Sequence, residues 1–174
     1  MLIAAMVLRY LHIILGITWF GGTVYRSLIL LPGLATLSPE QRRPFLQSVQ
    51  EGHETFLLTT GFLVIVLGIM LGAVVGPIQS GSALFTAYGV TWIASMTLAA
   101  IILGWEGFMV SPAIAALAPD DAEEVVVATE PARAVLPPVP SMPGSLRRAQ
   151  TLAWIEVGGF CLLVSFMVLM HFGY

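Results

Sequence analysis

The sequence predicts an all-α integral membrane protein in which four transmembrane helices form one bundle. Of its 174 residues, 57% are hydrophobic and 10% are charged, whereas soluble domains average about 25% charged residues. Four apolar segments are long enough to cross a bilayer core, which takes about 20 helical residues. They lie approximately at 2–31, 55–76, 83–109 and 146–173. Because these segments account for most of the chain, we expect residues 1–174 to form a single transmembrane domain.

The connections between these segments differ in length and chemistry. The first segment lacks a preceding basic region and is too long for a signal peptide, so we expect it to be retained. Ser38 can cap a helix whose first turn holds Pro39, which predicts that the second helix begins before its apolar part. Residues 77–82 predict a turn, and the proline-rich stretch 111–145 predicts an extended linker.

The arginines predict how the bundle is oriented. Two connections, 32–54 and 111–145, lie on the same side of a four-span protein. The positive-inside rule places these connections in the cytoplasm and both termini outside, in an inner membrane of bacterial type. The arginines of these connections and their flanks are Arg42, Arg43, Arg133, Arg147 and Arg148.

A polar stripe runs along the first segment. Its residues recur at steps of three and four, so a helix presents them on one face. Charged groups inside a bilayer are costly and usually face a partner, a cavity or a pathway. We therefore expect the stripe to face the bundle interior. Its members are Arg9, His12, Gly16, Trp19, Thr23 and Arg26.

Glycines in the second segment suggest close helix packing. Gly68, Gly72 and Gly76 make two consecutive Gly-x-x-x-Gly spacings. Small residues at this spacing let helix backbones approach closely in a membrane. We expect the second helix to pack closely through this face.

One group of candidate site residues falls near the predicted cytoplasmic half. An arginine with two carboxylates at similar depth predicts a structural ion-pair network. The same residue types also allow a site for a metal ion that prefers oxygen ligands, or for a proton. This group comprises Arg26, His53, Glu54, Glu106 and Glu156.

A second group falls toward the opposite side of the membrane. His12 lies on the polar stripe, while Met170 and His171 close the fourth helix. Imidazole and thioether ligands together suit copper, and thioethers suit Cu(I) in particular. His12 and His171 also allow a haem with one or two axial histidines. Other methionines at mid-depth or further out are Met6, Met70, Met96 and Met167.

Several function classes find no support in the sequence. No Ser-His-Asp set, phosphate loop or zinc spacing is present, so neither hydrolase nor transferase chemistry is indicated, and an enzyme is the less favoured expectation. The single cysteine, Cys161, excludes a disulfide within the chain. The sequence has no basic patch that would indicate binding to nucleic acid. The expected partners are the lipid bilayer and either other membrane subunits or a second copy of the chain.

The sequence resembles the copper resistance D (CopD-like) membrane family. The similarity lies in Leu11-His12-Ile13, Trp19-Phe20-Gly21-Gly22, Leu31-Pro32, Arg42-Arg43, Tyr88-Gly89 and Glu156-Val157-Gly158. The resemblance implies a four-helix membrane unit with a role in copper handling. It points to His12, Trp19, Gly22 and Glu156 as functional residues.

A weaker similarity links the first helix to HemJ-type protoporphyrinogen oxidases. Leu11-His12-Ile13, Trp19, Gly22 and Tyr25 fit that pattern, but those proteins use a lysine in a later helix and this chain has none. Copper binding or passage is thus the leading hypothesis. In it, His12 binds the ion with Met170 or His171, and Arg26, Glu106 and Glu156 shape the cytoplasmic exit. A haem-b protein in electron transfer or porphyrin oxidation and an accessory subunit of a membrane complex are the alternatives.

Overall fold

The computed structural model confirms an all-α architecture of four long helices. It describes residues 2–117 and 144–172, and these residues contain no strand. We label the helices in chain order. They are α1 (Leu2–Ala35), α2 (Pro39–Met70, continued by Leu71–Val75), α3 (Ala87–Ala115) and α4 (Gly144–His171). The predicted linker overlaps the end of α3, and its residues 118–143 lie outside the described part of the chain.

All four helices are long and apolar enough to cross a membrane. Large hydrophobic side chains cover the outside of the bundle; Ile3, Ile17, Phe62 and Phe108 are each more than half exposed. A soluble protein rarely exposes so continuous an apolar surface. These features fit an integral membrane protein whose exterior contacts lipid.

The turn between α1 and α2 is shorter than the sequence suggested. Helix α1 continues to Ala35, and α2 begins at Pro39 as expected from the cap at Ser38. The Ser38 N–H donates to Gln41 Oε1 at 3.1 Å, and Arg42 Nε donates to the Leu34 carbonyl at 2.8 Å. The Leu34 carbonyl also accepts from the Leu37 N–H at 3.3 Å, so Arg42 adds a second bond that connects the first turns of α2 to the end of α1.

Helix α3 begins later and ends later than predicted. Residues Gly81–Phe85 form a 3₁₀ turn rather than the start of the span. Thr86 then caps α3 by accepting a hydrogen bond from the Gly89 N–H at 3.1 Å. At its other end, α3 runs to Ala115 instead of stopping at Met109.

Gly68 and Gly72 of α2 leave a groove that side chains of the neighbouring helices occupy. A methyl group placed on Gly72 would lie 2.2 Å from Trp92 Nε1, and one on Gly68 would lie 3.0 Å from Met96 Cε. The Trp92 indole also donates to the Gly68 carbonyl at 3.3 Å. Helix α2 thus packs closely on α3 at these two glycines, as expected, and bulky side chains of α3 fill the groove that the glycines leave. Gly76 lies just beyond the end of α2.

Two helices contain a widened π turn within their length, shortly before a proline, and a third π turn, Leu71–Val75, ends α2 before Gly76-Pro77. Arg26–Leu30 precedes Leu31-Pro32 in α1, and Glu106–Val110 precedes Ser111-Pro112 in α3. Proline cannot donate a backbone hydrogen bond, and its ring crowds the preceding turn. A widened turn accommodates that crowding, and π turns are frequent at functional sites. The carbonyl of Ser27 inside the first π turn accepts a hydrogen bond from Gln150 Nε2 of α4 at 2.6 Å.

Two apolar clusters occupy different levels of the bundle. One lies in the middle and includes Trp19, Leu57, Ile102 and Phe160. The other lies toward the α1–α2 turn, with members in all four helices: Leu31, Leu46, Val110 and Ala153. Along each helix, about two to three turns separate the buried members of the two clusters. Those intervening positions hold the charged residues described next.

Candidate functional site

A buried polar layer lies between the two apolar clusters. We use this name for Arg26 of α1, Glu106 of α3 and Glu156 of α4, none of which is more than 2% exposed. Arg26 Nη1 donates to Glu106 Oε1, and Arg26 Nη2 donates to Glu156 Oε2. The expected contact between this arginine and two carboxylates is present. Arg26 and Glu106 are also the first residues of the two π turns.

Some polar atoms of this layer have no protein partner. The Thr23 hydroxyl donates to Glu156 Oε1 at 3.5 Å, which occupies the second oxygen of that carboxylate. Within the described residues, Glu106 Oε2 and Arg26 Nε are buried without a hydrogen bond. Buried polar atoms left in this way commonly meet water or a ligand.

A small cavity adjoins the polar layer on the side of α2. Its volume is about 20 Å³, which is room for about one water molecule. Arg26 and Glu106 contribute to its wall, together with Gln50, His53 and Glu54 of α2. His53 and Glu54 are partly buried, so polar side chains lead from the surface of α2 toward the buried carboxylate.

His12 forms a separate site nearer the other end of the bundle. Its Nδ1 lies 3.0 Å from the Val64 carbonyl oxygen of α2. A carbonyl can only accept, so the imidazole that forms this bond carries its hydrogen on Nδ1. In a neutral ring, Nε2 then keeps its lone pair. Metal-binding histidines are commonly held this way, with one nitrogen bound to a carbonyl and the other to the metal.

A larger apolar cavity borders His12, and we call it the His12 cavity. Its volume is about 190 Å³. Trp19 and Phe20 of α1 line it together with Phe160 and Met167 of α4. Trp19 packs edge-on against Phe160 with ring centroids 4.6 Å apart, and its indole N–H is buried without a partner among the described residues.

Met96 of α3 also lies close to His12. A methyl group placed on Gly68 would lie 3.2 Å from His12 Cε1 and 3.4 Å from Met96 Sδ. The imidazole and the thioether therefore lie against the same face of Gly68. Two methionines on different helices thus lie in the neighbourhood of His12, Met96 beside Gly68 and Met167 in the wall of the His12 cavity.

Other predicted site residues are placed elsewhere. Arg9 is exposed, so its predicted position in the bundle interior was wrong, because the stripe turns away from the neighbouring helices near the start of α1. His171 is exposed and packs edge-on against Phe172, with ring centroids 5.5 Å apart. Met170 and His171 do not line the His12 cavity; Met167, one turn earlier, does.

The carboxylates of the polar layer engage arginine rather than forming a metal cluster. Among residues 2–117 and 144–172, no three His, Cys, Asp or Glu side chains are grouped so that they could hold a metal ion. Glu106 and Glu156 both contact Arg26, and His53 lines the small cavity together with Arg26 and Glu106. The ion-pair interpretation of this group is thus the one that its contacts favour.

Sequence reasoning missed two contributors to these sites. Thr23 was seen as part of the stripe but not as a partner of Glu156, and Met96 was not assigned to His12. One usable signal was the proline six residues after Arg26 and again six residues after Glu106. That shared spacing marks the two widened turns that carry the charges.

Comparisons with protein-family models, curated proteins and solved structures found no match to this chain.

Proposed function

We propose that this protein binds Cu(I) at His12 and passes copper across a membrane. The observation that supports this proposal is the hydrogen bond from His12 Nδ1 to the Val64 carbonyl. It leaves Nε2 as an available ligand, while Met96 lies with the imidazole against Gly68 and Met167 lines the His12 cavity. Imidazole with thioethers is a ligand set that suits Cu(I).

The size of the His12 cavity supports an ion in preference to a large cofactor. Sites for organic ligands typically measure about 300–1,000 Å³, whereas this cavity measures about 190 Å³. A metal ion needs only the space between its ligands. The apolar lining favours an ion of low charge, since burial of charge in an apolar environment is costly.

Passage requires a second step beyond binding. The cluster around Trp19 and Phe160 fills the bundle between His12 and the polar layer. A copper ion leaving His12 therefore moves past these aromatic rings only when they part. In this proposal, Arg26, Glu106 and Glu156 shape the cytoplasmic exit of the ion without binding it, because the arginine already occupies both carboxylates. The protein lies in an inner membrane of bacterial type with both termini outside.

Copper binding can be tested on purified protein in a mild detergent. We expect about one Cu(I) per chain in competition with a chromophoric Cu(I) chelator. His12→Ala should weaken binding at least tenfold, and Met96→Leu, which conserves volume, should weaken it by a smaller factor. His171→Ala is the matched control, because that histidine is exposed and should leave the affinity unchanged. Unchanged affinity in His12→Ala would contradict the proposal.

A haem-b protein is the second candidate, since the same His12 Nε2 can bind haem iron axially. The visible spectrum of the purified protein separates the two. A Soret band that disappears in His12→Ala would replace the copper proposal with the haem proposal. Protein without copper or colour that purifies with other membrane subunits would instead indicate an accessory role.

A further inference from the structure

The charges of the polar layer do not balance. Arg26 supplies one positive charge, while Glu106 and Glu156 supply two negative charges when both are ionised. All three side chains are buried. An uncompensated charge inside a membrane bundle is strongly unfavourable. Two carboxyl groups that share one site commonly share one proton instead of both ionising.

One oxygen atom of this layer is open to such a proton. Three of the four carboxylate oxygens have partners: Arg26 contacts one on each glutamate, and Thr23 reaches the other on Glu156. Glu106 Oε2 is buried and has no partner among the described residues. A proton on this oxygen leaves both contacts to Arg26 intact and gives the carboxyl group a hydrogen to donate.

Within residues 2–117 and 144–172, the small cavity beside α2 offers a polar approach to that oxygen. Apolar clusters close the layer toward the middle of the bundle and toward the α1–α2 turn. The small cavity beside α2 instead brings His53, Glu54 and Gln50 to the same space as Glu106. The titratable and charged groups that border the site are thus Arg26 of α1, His53 and Glu54 of α2, and Glu156 of α4.

We infer that the polar layer is a proton-binding site, in which the carboxyl pair Glu106/Glu156 holds one exchangeable proton that arrives through the cavity beside His53. The proton comes from bulk water and passes through the cavity by way of His53 or a water molecule there. It then converts one carboxylate of the pair into a carboxylic acid. Its departure by the same route restores the carboxylate.

A proton fits this site better than a metal cation does. The guanidinium of Arg26 already occupies one oxygen on each carboxylate and repels further positive charge. The cavity has room for about one water molecule, which suffices to carry a proton. This inference goes beyond copper binding and does not depend on it, because the groups belong to a different level of the bundle from His12.

Infrared spectroscopy of the copper-free protein in lipid nanodiscs tests the inference directly. At pH 7 a carboxyl group that water surrounds is ionised, so a protonated carboxyl band at that pH reports a buried acid. We expect a band equivalent to about one carboxyl group per chain, which shifts when H₂O is replaced by D₂O. Absence of such a band in the wild-type protein would overturn the inference.

Two variants of equal size identify the groups that share the proton. Glu106→Gln and Glu156→Gln each leave one carboxylate beside Arg26. The single negative charge then balances the arginine, and no proton has to be bound. We expect both variants to lose the band, while Glu54→Gln, a partly buried neighbour, keeps it. Circular dichroism checks that the helices remain. A band that persists in both variants would overturn the assignment to this pair.

The route is tested by the rate at which the band shifts after transfer to D₂O. His53→Phe places a bulky apolar ring in the cavity wall, and we expect exchange to slow at least tenfold. His171→Phe makes the same substitution at an exposed position and should leave the rate unchanged. An unchanged rate in His53→Phe would overturn the route beside α2.

Discussion

The polar layer and the His12 cavity show two opposite ways of placing polar groups inside one apolar bundle. In the polar layer, Arg26 and both glutamates are almost fully buried and contact one another. At the other site, His12 makes one hydrogen bond and borders about 190 Å³ of space. Paired charges mainly affect whether the bundle holds together. A histidine with one free nitrogen beside a cavity is placed to bind a ligand.

The difference follows from where each side chain finds its partners. Arg26 sits on a π turn and meets residues of two other helices, α3 and α4. His12 reaches a backbone carbonyl of α2, which every regular helix offers. We therefore expect substitutions in the polar layer to change stability and those at His12 to change ligand binding. The following predictions are ordered from the largest expected effect.

Loss of Arg26 should be the most damaging single change. Arg26→Met leaves two carboxyl groups buried without their cation, and removal of one partner from a buried ion pair costs about 3–5 kcal/mol. Denaturation in mixed micelles, followed by circular dichroism, measures the loss. Replacing Glu106 and Glu156 by glutamine in the same protein should recover a large part of it. If Arg26→Met alone were as stable as the wild type, the polar layer would not hold the bundle together.

Gly72→Ala should disturb the packing of α2 on α3. The added methyl group would lie 2.2 Å from Trp92 Nε1, so the indole has to move. Overpacking of this kind costs about 1–3 kcal/mol. Gly158→Ala is the matched control, since a methyl group there meets nothing within 4 Å. Equal stability of the two variants would show that Trp92 can move aside without lowering the free energy of unfolding.

Substitution of His12 should separate binding from stability. His12→Phe removes the hydrogen bond to Val64, and we expect a loss of about 0.5–1.5 kcal/mol. The variant should keep its helices and its polar layer but fail to bind copper. The same denaturation assay and a copper titration give both results. A loss as large as that of Arg26→Met would remove the distinction between the two regions.

Arg9→Gln should have the smallest effect. Arg9 is exposed, and substitutions at such positions usually change stability by less than about 0.5 kcal/mol. A larger change in the same denaturation assay would indicate that Arg9 faces the bundle interior, as the polar stripe predicted.

Much of the fold was predictable because hydrophobic length and capping are local signals. The four spans, the start of α2 at Pro39 and the depth of Arg26, Glu106 and Glu156 followed from spacing alone. The continuation of α1 and α3 past Pro32 and Pro112 did not. Proline normally predicts the end of a helix or a kink, and the widened turns that accommodate these two prolines depend on packing.

The His12 site was only partly predictable for a related reason. Depth suggested Met170 and His171 as neighbours, but it does not determine which face of α4 turns inward. Met167 is one turn from His171 and lines the cavity, whereas His171 is exposed. Met96 reaches His12 because Gly68 has no side chain. This arrangement joins residues of three helices, so no sequence pattern within a single helix predicts it.

The matched turns of α1 and α3 bear on how the two halves of the chain depend on each other. Arg26, Leu31, Pro32 and Leu34 recur eighty positions later as Glu106, Ser111, Pro112 and Ile114. Equivalent places in α1 and α3 thus carry opposite charge. The first half of the chain supplies the cation of the polar layer, and the second half supplies both carboxylates. Each half therefore holds charges that only the other half can neutralise, so neither can bury its own polar groups at this level without the other.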